Sequence, residues 1–433
     1  MKGADIIVID QLYGAITIPA WLHPVVFSPE LQRLREVRLI NTTSPSCSAL
    51  SDARRFTHTL GVLHLASRLH LKISRHWPKE QSRAFLVAAL LHDIGTPAFG
   101  HLFEYQLAAI KGWNHEKFVS ELIRGTYRLE KRRHQIYYNN SLRLHEIFKD
   151  IGIDVDIVAD LINGRTDLGK LLAGFVDLDN IDNVFRMASL LGLTPDPTAP
   201  VRLVESITPE PQGIVFEEAA LPLLQSWVEL RRRTYEILAF DEQCLSGQAM
   251  LTDCLTTALT NNYLDESHWF FTDEQLLREL LDFPETKEVI QRFAVGNFYN
   301  PVYLGWYACP KGQLDLRHPD NRSRLVDRVK QMTGISCSPY IFYDSGTFSK
   351  KLNLTIRGTN AELKSVDFGH KSESTIVSIF TARQVSGSKR KMLNDCMVEI
   401  LAEFGLHNSD LKPIPDRQSI YEIPSQRLIP FRA

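Results

Sequence analysis

Apolar and polar positions along the chain recur with two periods, and their order predicts a mainly helical protein with small strand-rich segments near its two ends. "DIIVIDQLYGAITIP" reads as two short strands around a turn near Asp10 to Gly14. "SPELQRLREVRLI" opens as a helix, with Ser28 as N-cap, Pro29 at the first helical position and Glu30 in the first turn. "CSALSDARR" reads as a loop. From Phe56 to about Ile73 the helical period returns through Leu60, Leu63, Leu65 and Leu69. "KEQSRAFLVAALLHDIG" is a second strong helix, broken by Gly95 and Pro97. Helices then dominate to about residue 260, most clearly in "GKLLAGFVDLDNIDNVFRMASLLG", "AALPLLQSWVELRRRTYEILAF" and "QAMLTDCLTTALTNNYL".

Beyond Phe293 the texture changes. Strand-like "NPVYLGWYA", "SPYIFYD" and "STIVSIFTAR" alternate with helix-like "DNRSRLVDRVKQMTG" and "GSKRKMLNDCMVEILAEFG", which reads as a small α+β unit. The expected organisation is a hairpin and helix over 1–50, a helical core with its extension over 51–292, and a C-terminal α+β lobe over 293–433.

Composition narrows the function classes. The 433 residues are 44% hydrophobic and 23% charged, with a net charge of −2 from 49 basic and 51 acidic residues. That balance supports neither a nucleic-acid protein nor a membrane-surface protein. No apolar stretch approaches the ~18–20 residues of a membrane span, and "MKGADIIVIDQL" lacks the features of a secretory signal. The six cysteines form no CxxC pair, so they read as small core residues of a reducing, cytoplasmic protein. The basic cluster Arg128 to His134 reads either as a solvated helix face or as a phosphate contact.

The chemistry concentrates in "AALLHDIGTPAFGH", where an apolar helix ends in His92 and Asp93. A carboxylate on a buried helix needs a partner. Imidazole and carboxylate together suit a divalent transition metal. Two other apolar helices carry metal-capable residues: His58 in "RRFTHTLGVLHLA", and Asp177, Asp179 and Asp182 in "GFVDLDNIDNVFRMASLLG". Spacing alone leaves two readings open, a metal site and a buried polar network without metal.

The ordered motifs "RFTHTLGV", "LLHDIGTPAFGHLFE", "WNHEKF" and "DLDNIDNVFRMASLLG" resemble the HD-domain phosphohydrolases, nearest the branch of SAM-and-HD-domain dNTP triphosphohydrolases and bacterial dGTPases. "DQLYGAITIP", "ELQRLREVRLI", "LRRRTYEILAF" and "STIVSIFTARQV" resemble other parts of the same proteins. The resemblance implies an HD-domain helical core and the metal ligands His58, His92, Asp93 and Asp179, with the ion being Mn, Fe, Zn, Co, Ni or Mg. On the resemblance, Asp177 and Asp182 become surrounding or surface groups. It further implies His101, His115 and Glu104 as catalytic groups, and Arg55, Asn180, Asn183 and Tyr235 around the substrate. His64, His70 and His76 fall outside the motifs and read as structural or exposed.

This sequence departs from the branch around the substrate. Thr96 replaces a catalytic histidine, Asn180 a lysine, and Asn183 a tyrosine that packs under the sugar. Trp227 stands for a phosphate-binding arginine, Glu236 for a glutamine, and Leu39 for a glutamine that reads the 3′-hydroxyl. Each lost charged contact is worth roughly 1.5–3 kcal/mol, so triphosphate binding weakens unless Arg231, Arg232, Arg233 or the cluster near Lys131 compensates. The implied activity is a dNTP triphosphohydrolase. The alternatives are hydrolysis of another nucleotide or phosphoester, and a non-catalytic nucleotide sensor. The resemblance also implies a homo-oligomer, dimer or tetramer, and a nucleotide activator contacting "LQRLR", which otherwise reads as an ordinary amphipathic helix.

Overall fold

A computed structural model describes residues 4–416 except 42–43, 128–142, 175, 194, 211–212, 309–313, 345, 347, 349–350 and 370–372. The basic cluster at 128–134, Cys309 and the final 17 residues, 417–433, lie outside the described residues. The fold is mainly helical, with a short N-terminal hairpin and a strand-rich C-terminal region. Among the described residues no helix is long and apolar enough to cross a membrane.

The hairpin pairs β1 (Ile6–Asp10) with β2 (Gly14–Ile18), in register from Ile6↔Ile18 to Asp10↔Gly14. Asp10 Oδ1 closes its turn by accepting from the Leu12 and Tyr13 amides at 2.8 and 3.0 Å. Ser28 caps the one-turn helix Pro29–Gln32, as expected. That helix does not run on. It tightens into a 3-10 turn at Arg33–Glu36 and extends at Val37. Arg33 is fully buried and donates to the Phe271, Ile94 and Thr96 carbonyls at 3.1, 3.0 and 2.7 Å. Within the expected loop, Pro45–Cys47 and Ser48–Ser51 each form a helical turn.

The centre of the molecule is α1 (Arg55–His76) packed on α2 (Lys79–Leu91). Leu60, Leu63, Leu65 and Leu69 of α1 and every residue from Ala84 to Leu91 are buried. After α2 come α3 (His101–Lys111), α4 (His115–Arg124), α5 (Leu178–Leu190), α6 (Leu221–Phe240) and α7 (Glu242–Thr260). The sequence predicts one helix from 169 to 192, but the chain forms a short turn, Gly169–Leu171, and then starts afresh at α5. The cause is Asp177. Its carboxylate accepts from the Asn180 amide at 2.6 Å as a helix cap and folds back onto the Gly174 amide at 2.9 Å.

The C-terminal region forms an antiparallel sheet ordered β10-β5-β9-β6, from β5 (Asn300–Ala308), β6 (Ser338–Asp344), β9 (Ser374–Thr381) and β10 (Leu411–Lys412). Helices α8 (Pro319–Thr333) and α9 (Gly387–Ala402) contribute Leu325, Val329, Leu393 and Met397 to its core. A second sheet was not legible in the sequence. It pairs β3 (Ile207–Glu210) and β4 (Gly213–Glu217) with β7 (Leu352–Arg357) and β8 (Leu363–Phe368). The β4–β7 pairing is parallel, and it carries Leu352, Leu354 and Ile356 into the main helical core.

Candidate metal centre and active site

Three segments deliver the four metal-ligand candidates to one point. His58 sits one turn into α1, His92 and Asp93 follow the last residue of α2, and Asp179 lies in the first turn of α5. His58 Nε2 stands 2.9 Å from Asp179 Oδ1, 3.2 Å from His92 Nε2 and 3.9 Å from Asp93 Oδ2. His92 Nε2 is 3.8 Å from Asp179 Oδ1 and 3.9 Å from Asp93 Oδ2. Donor atoms on one first-row ion at ~2.1 Å stand roughly 3.0–3.4 Å apart at octahedral or tetrahedral angles.

The outer hydrogen bonds set the ring orientations. His58 Nδ1 donates to Asp182 Oδ2 at 2.7 Å, and His92 Nδ1 donates to the Ala89 carbonyl at 2.9 Å. Each ring is thereby left with Nε2 as its lone-pair atom, and the two lone pairs face each other. Such a pair needs a cation or a shared proton between them. With only protons available, burial opposes a charge on His58, but Asp179 and Asp182 outweigh it and push the imidazole up to about 10. By donor type and proximity His58, His92 and Asp93 form a group that could hold a divalent metal ion, and Asp179 Oδ1 lies beside it at 2.9 Å from His58 Nε2.

His58 and Asp93 are each held by further residues. Asp182, fully buried, accepts from Arg186 Nε and Nη2 at 2.9 and 3.0 Å, and Arg186 Nη1 continues to Asp10 Oδ2 at 2.9 Å. The chain of contacts thus runs from the hairpin turn to the His58 ring. Burial raises the cost of the Asp182 charge, yet Arg186 and His58 bring its carboxyl down to about 2. Gly61, one turn beyond His58, makes this approach possible, because a Cβ there would lie 2.0 Å from Asp182 Oδ1. Asp93 is held by Arg55 Nη1 on Oδ2 and by Thr96 Oγ1 on Oδ1, both at 2.8 Å. The nearby charges of Arg55, His92 and His58 overcome burial and keep Asp93 well below the usual carboxylate range.

A second cluster of titratable groups lies beside the first. His101 Nδ1 meets Glu104 Oε2 at 2.8 Å, and His115 Nδ1 lies 3.7 Å from Glu104 Oε1. His101 is exposed, at 81%, whereas His115 is half-buried. Burial lowers the His115 imidazole despite Glu104 and Asp93 nearby, which favours its neutral form. Burial works against the Glu104 charge, but the hydrogen bond to His101 and the charges of His101, His115 and Arg55 lower its carboxyl. Gly95 leaves room for Val119 and the His115 ring, since a Cβ there would lie 2.2 Å from Val119 Cγ2 and 3.0 Å from His115 Cε1. Asn114 caps α4 by accepting from the Lys117 amide at 2.9 Å, as the sequence implies.

The residues assigned to substrate occupy definite positions. Arg55 is buried, tied to Asp93, and donates through Nη2 to the Leu39 carbonyl at 3.3 Å. Asn180 donates to both Asp177 oxygens at 2.9 and 3.0 Å, and its own oxygen accepts from Arg231 Nη1 at 2.8 Å. Tyr235 carries the Arg231 guanidinium over its ring at 4.8 Å. Asn183, one turn after Asn180, has its side-chain oxygen buried without a hydrogen-bond partner. Trp227 is fully buried, and Glu236 pairs with Arg232 at 2.6 Å. In "LQRLR", Arg33 is consumed by backbone carbonyls while Arg35 remains exposed.

Sequence reasoning underrated Asp182 and overlooked Arg186 and Asp10. The available signal was the i, i+4 spacing of an acid and an arginine on an apolar helix, which buries neither charge without the other. It also read Thr96 only as a missing histidine, whereas its hydroxyl engages Asp93.

The fold and this cluster define an HD-domain protein: the pattern of the HD domain matches residues 55–172. Residues 55–172 thus carry an HD domain, and the ordered motifs around it resemble the HD-domain phosphohydrolases. It is 25% identical over 232 residues to the uncharacterized protein YwfO of Bacillus subtilis, covering 53% of this chain and 50% of that one. It is 29% identical over 158 residues to the deoxynucleoside triphosphate triphosphohydrolase SAMHD1 homolog of Dictyostelium discoideum, covering 29% of this chain and 30% of that one. The chain thus spans about half or less of the length of these relatives. Among solved structures, a phosphohydrolase from Bacteroides thetaiotaomicron shares the fold with a TM-score of 0.63 at 17% identity, covering 87% of this chain and 99% of that one.

Proposed function

We propose that this chain is a metal-dependent phosphohydrolase acting on nucleotides, and that it releases triphosphate from a deoxynucleoside triphosphate. The observation that carries the reading is the convergence of His58, His92, Asp93 and Asp179, with orienting partners already in place. The name borne by the Dictyostelium relative supports the substrate class. A divalent ion held by these four residues would polarise a phosphoryl oxygen and lower the pKa of a bound water.

The chain's own residues supply the rest. Asp182 fixes the His58 ring, and Arg55 and Thr96 fix the Asp93 carboxylate. His115, favoured in its neutral form, is suited to take a proton at a ring nitrogen. Glu104 orients His101 through a 2.8 Å hydrogen bond and places its charge 3.7 Å from His115 Nδ1. A nucleotide activator and a homo-oligomeric state belong to the same reading.

A second reading is favoured by one observation. The position where the dNTP-hydrolysing branch has a catalytic histidine holds Thr96, whose hydroxyl is committed to Asp93. Another phosphoester would then be the substrate. The test is an endpoint assay with Mn²⁺ on dNTPs, NTPs, monophosphates and cyclic nucleotides, each alone and with a second nucleotide, read by chromatography. Nucleoside plus tripolyphosphate supports the first reading, and orthophosphate from another substrate supports the second. An Asp93→Ala variant that keeps both metal and activity refutes both.

A further inference from the structure

Among the described residues, no carboxylate pairs with one cation buried in the seam between α5 and α6. Arg231 is 8% exposed. Among the described residues its guanidinium bonds the Asn180 side-chain oxygen through Nη1 and the Tyr235 hydroxyl, and its Nε has no partner. Arg186, also buried, pairs with two carboxylates, and buried Arg55 pairs with one. A buried charge without a counter-ion is costly, so it is retained where something anionic meets it.

The same helix face repeats the pattern. Trp227 Nε1, Arg231 Nε and Thr234 Oγ1 are all buried without partners, at the i, i+4, i+7 spacing of one stripe. Across the seam, Asn183 Oδ1 is also unpartnered. Unmet buried polar atoms call for an explanation, and a polar ligand gained at this seam would supply one for these four on two packed helices. This place adjoins the metal centre. Arg231 bonds Asn180, the residue after Asp179, and the Asp179 charge acts on the Tyr235 hydroxyl against which Arg231 packs.

We propose that Arg231 is the residue that binds a phosphate group of the substrate, presented by Asn180 and Tyr235 at the α5–α6 seam. The assignment rests on the phosphohydrolase reading and names the cation through which that site holds its substrate. It also accounts for the tryptophan at 227, because the positive charge stands one helical turn later. Arg232 is a poor candidate, since Glu229 and Glu236 already hold it at 2.6 Å each.

The test is calorimetric titration of the purified full chain with inorganic tripolyphosphate. Wild type is compared with Arg231→Gln, Arg231→Lys and Arg232→Gln, with metal content and melting temperature measured for each. The expected result is binding by wild type, at least tenfold weaker binding by Arg231→Gln, partial recovery in Arg231→Lys and no change in Arg232→Gln, at equal metal content. A folded Arg231→Gln protein that binds like wild type overturns the assignment, and so does a wild type that does not bind tripolyphosphate. Asp93→Ala keeps the two ideas apart: metal binding and activity both unchanged there refute the phosphohydrolase reading whatever Arg231 does.

Discussion

Replacing Gly61 by alanine tests the link between helix packing and the metal centre. Two effects oppose each other. Alanine in a helix interior is favoured over glycine by about 1 kcal/mol. Against that, the new methyl would lie 2.0 Å from Asp182 Oδ1, 2.5 Å from Arg186 Nη2 and 2.8 Å from Asp182 Cγ. None of these groups can retreat cheaply. Asp182 is held by Arg186 and His58, and Arg186 is anchored to Asp10. Overpacking costs roughly 1–3 kcal/mol, and opening a buried ion pair roughly 3–5 kcal/mol. If the clash is relieved by opening the pair, that cost less the helix gain leaves Gly61→Ala about 2–4 kcal/mol less stable in urea unfolding. Because Asp182 orients the His58 ring, affinity for Mn²⁺ by calorimetry is expected to fall about 10- to 100-fold. A variant that is more stable by about 1 kcal/mol, with wild-type metal affinity, would refute the reasoning.

Three further outcomes follow from the same contacts. Thr96→Val keeps the shape but removes the 2.8 Å bond to Asp93, so about 1 kcal/mol of stability should be lost. Metal affinity should drop by less than in Gly61→Ala, because Arg55 still holds Asp93, and parallel unfolding and metal titrations check both. His58 is held above its ordinary 6.5, at about 10, so in metal-free protein its contribution to stability is complete below pH 6.5 and lost as pH rises through about 10. Metal binding at neutral pH should accordingly release protons, seen as a binding heat that varies with the ionisation enthalpy of the buffer. Arg33→Met leaves the Ile94, Thr96 and Phe271 carbonyls without their donor, and thermal unfolding should show a loss of several kcal/mol.

The short-range signals were reliable where one face of an element decides its burial. The leucines of α1, the uninterrupted apolar end of α2 and the Ser28 and Asn114 caps act over a few residues, and the sequence displays them directly. The order of the HD motifs likewise points to the cluster of His58, His92, Asp93 and Asp179 before any coordinate is known. Asp177 was harder to read, because a carboxylate before a helix suits a metal ligand and an N-cap equally well. Only the fold-back onto the Gly174 amide distinguishes them.

Tertiary structure decided the pairings between distant residues that no motif marks. The parallel pairing of β4 with β7 joins segments more than a hundred residues apart, and parallel strands leave no turn signature between them. Thr96 reads as a loss until its hydroxyl is found on Asp93, and Asp10 reads as a turn residue until Arg186 reaches it. Arg231 is one of three consecutive arginines in the sequence. Which of them lacks a carboxylate partner is fixed by the residues facing α6 across the seam, and linear spacing contains no record of them.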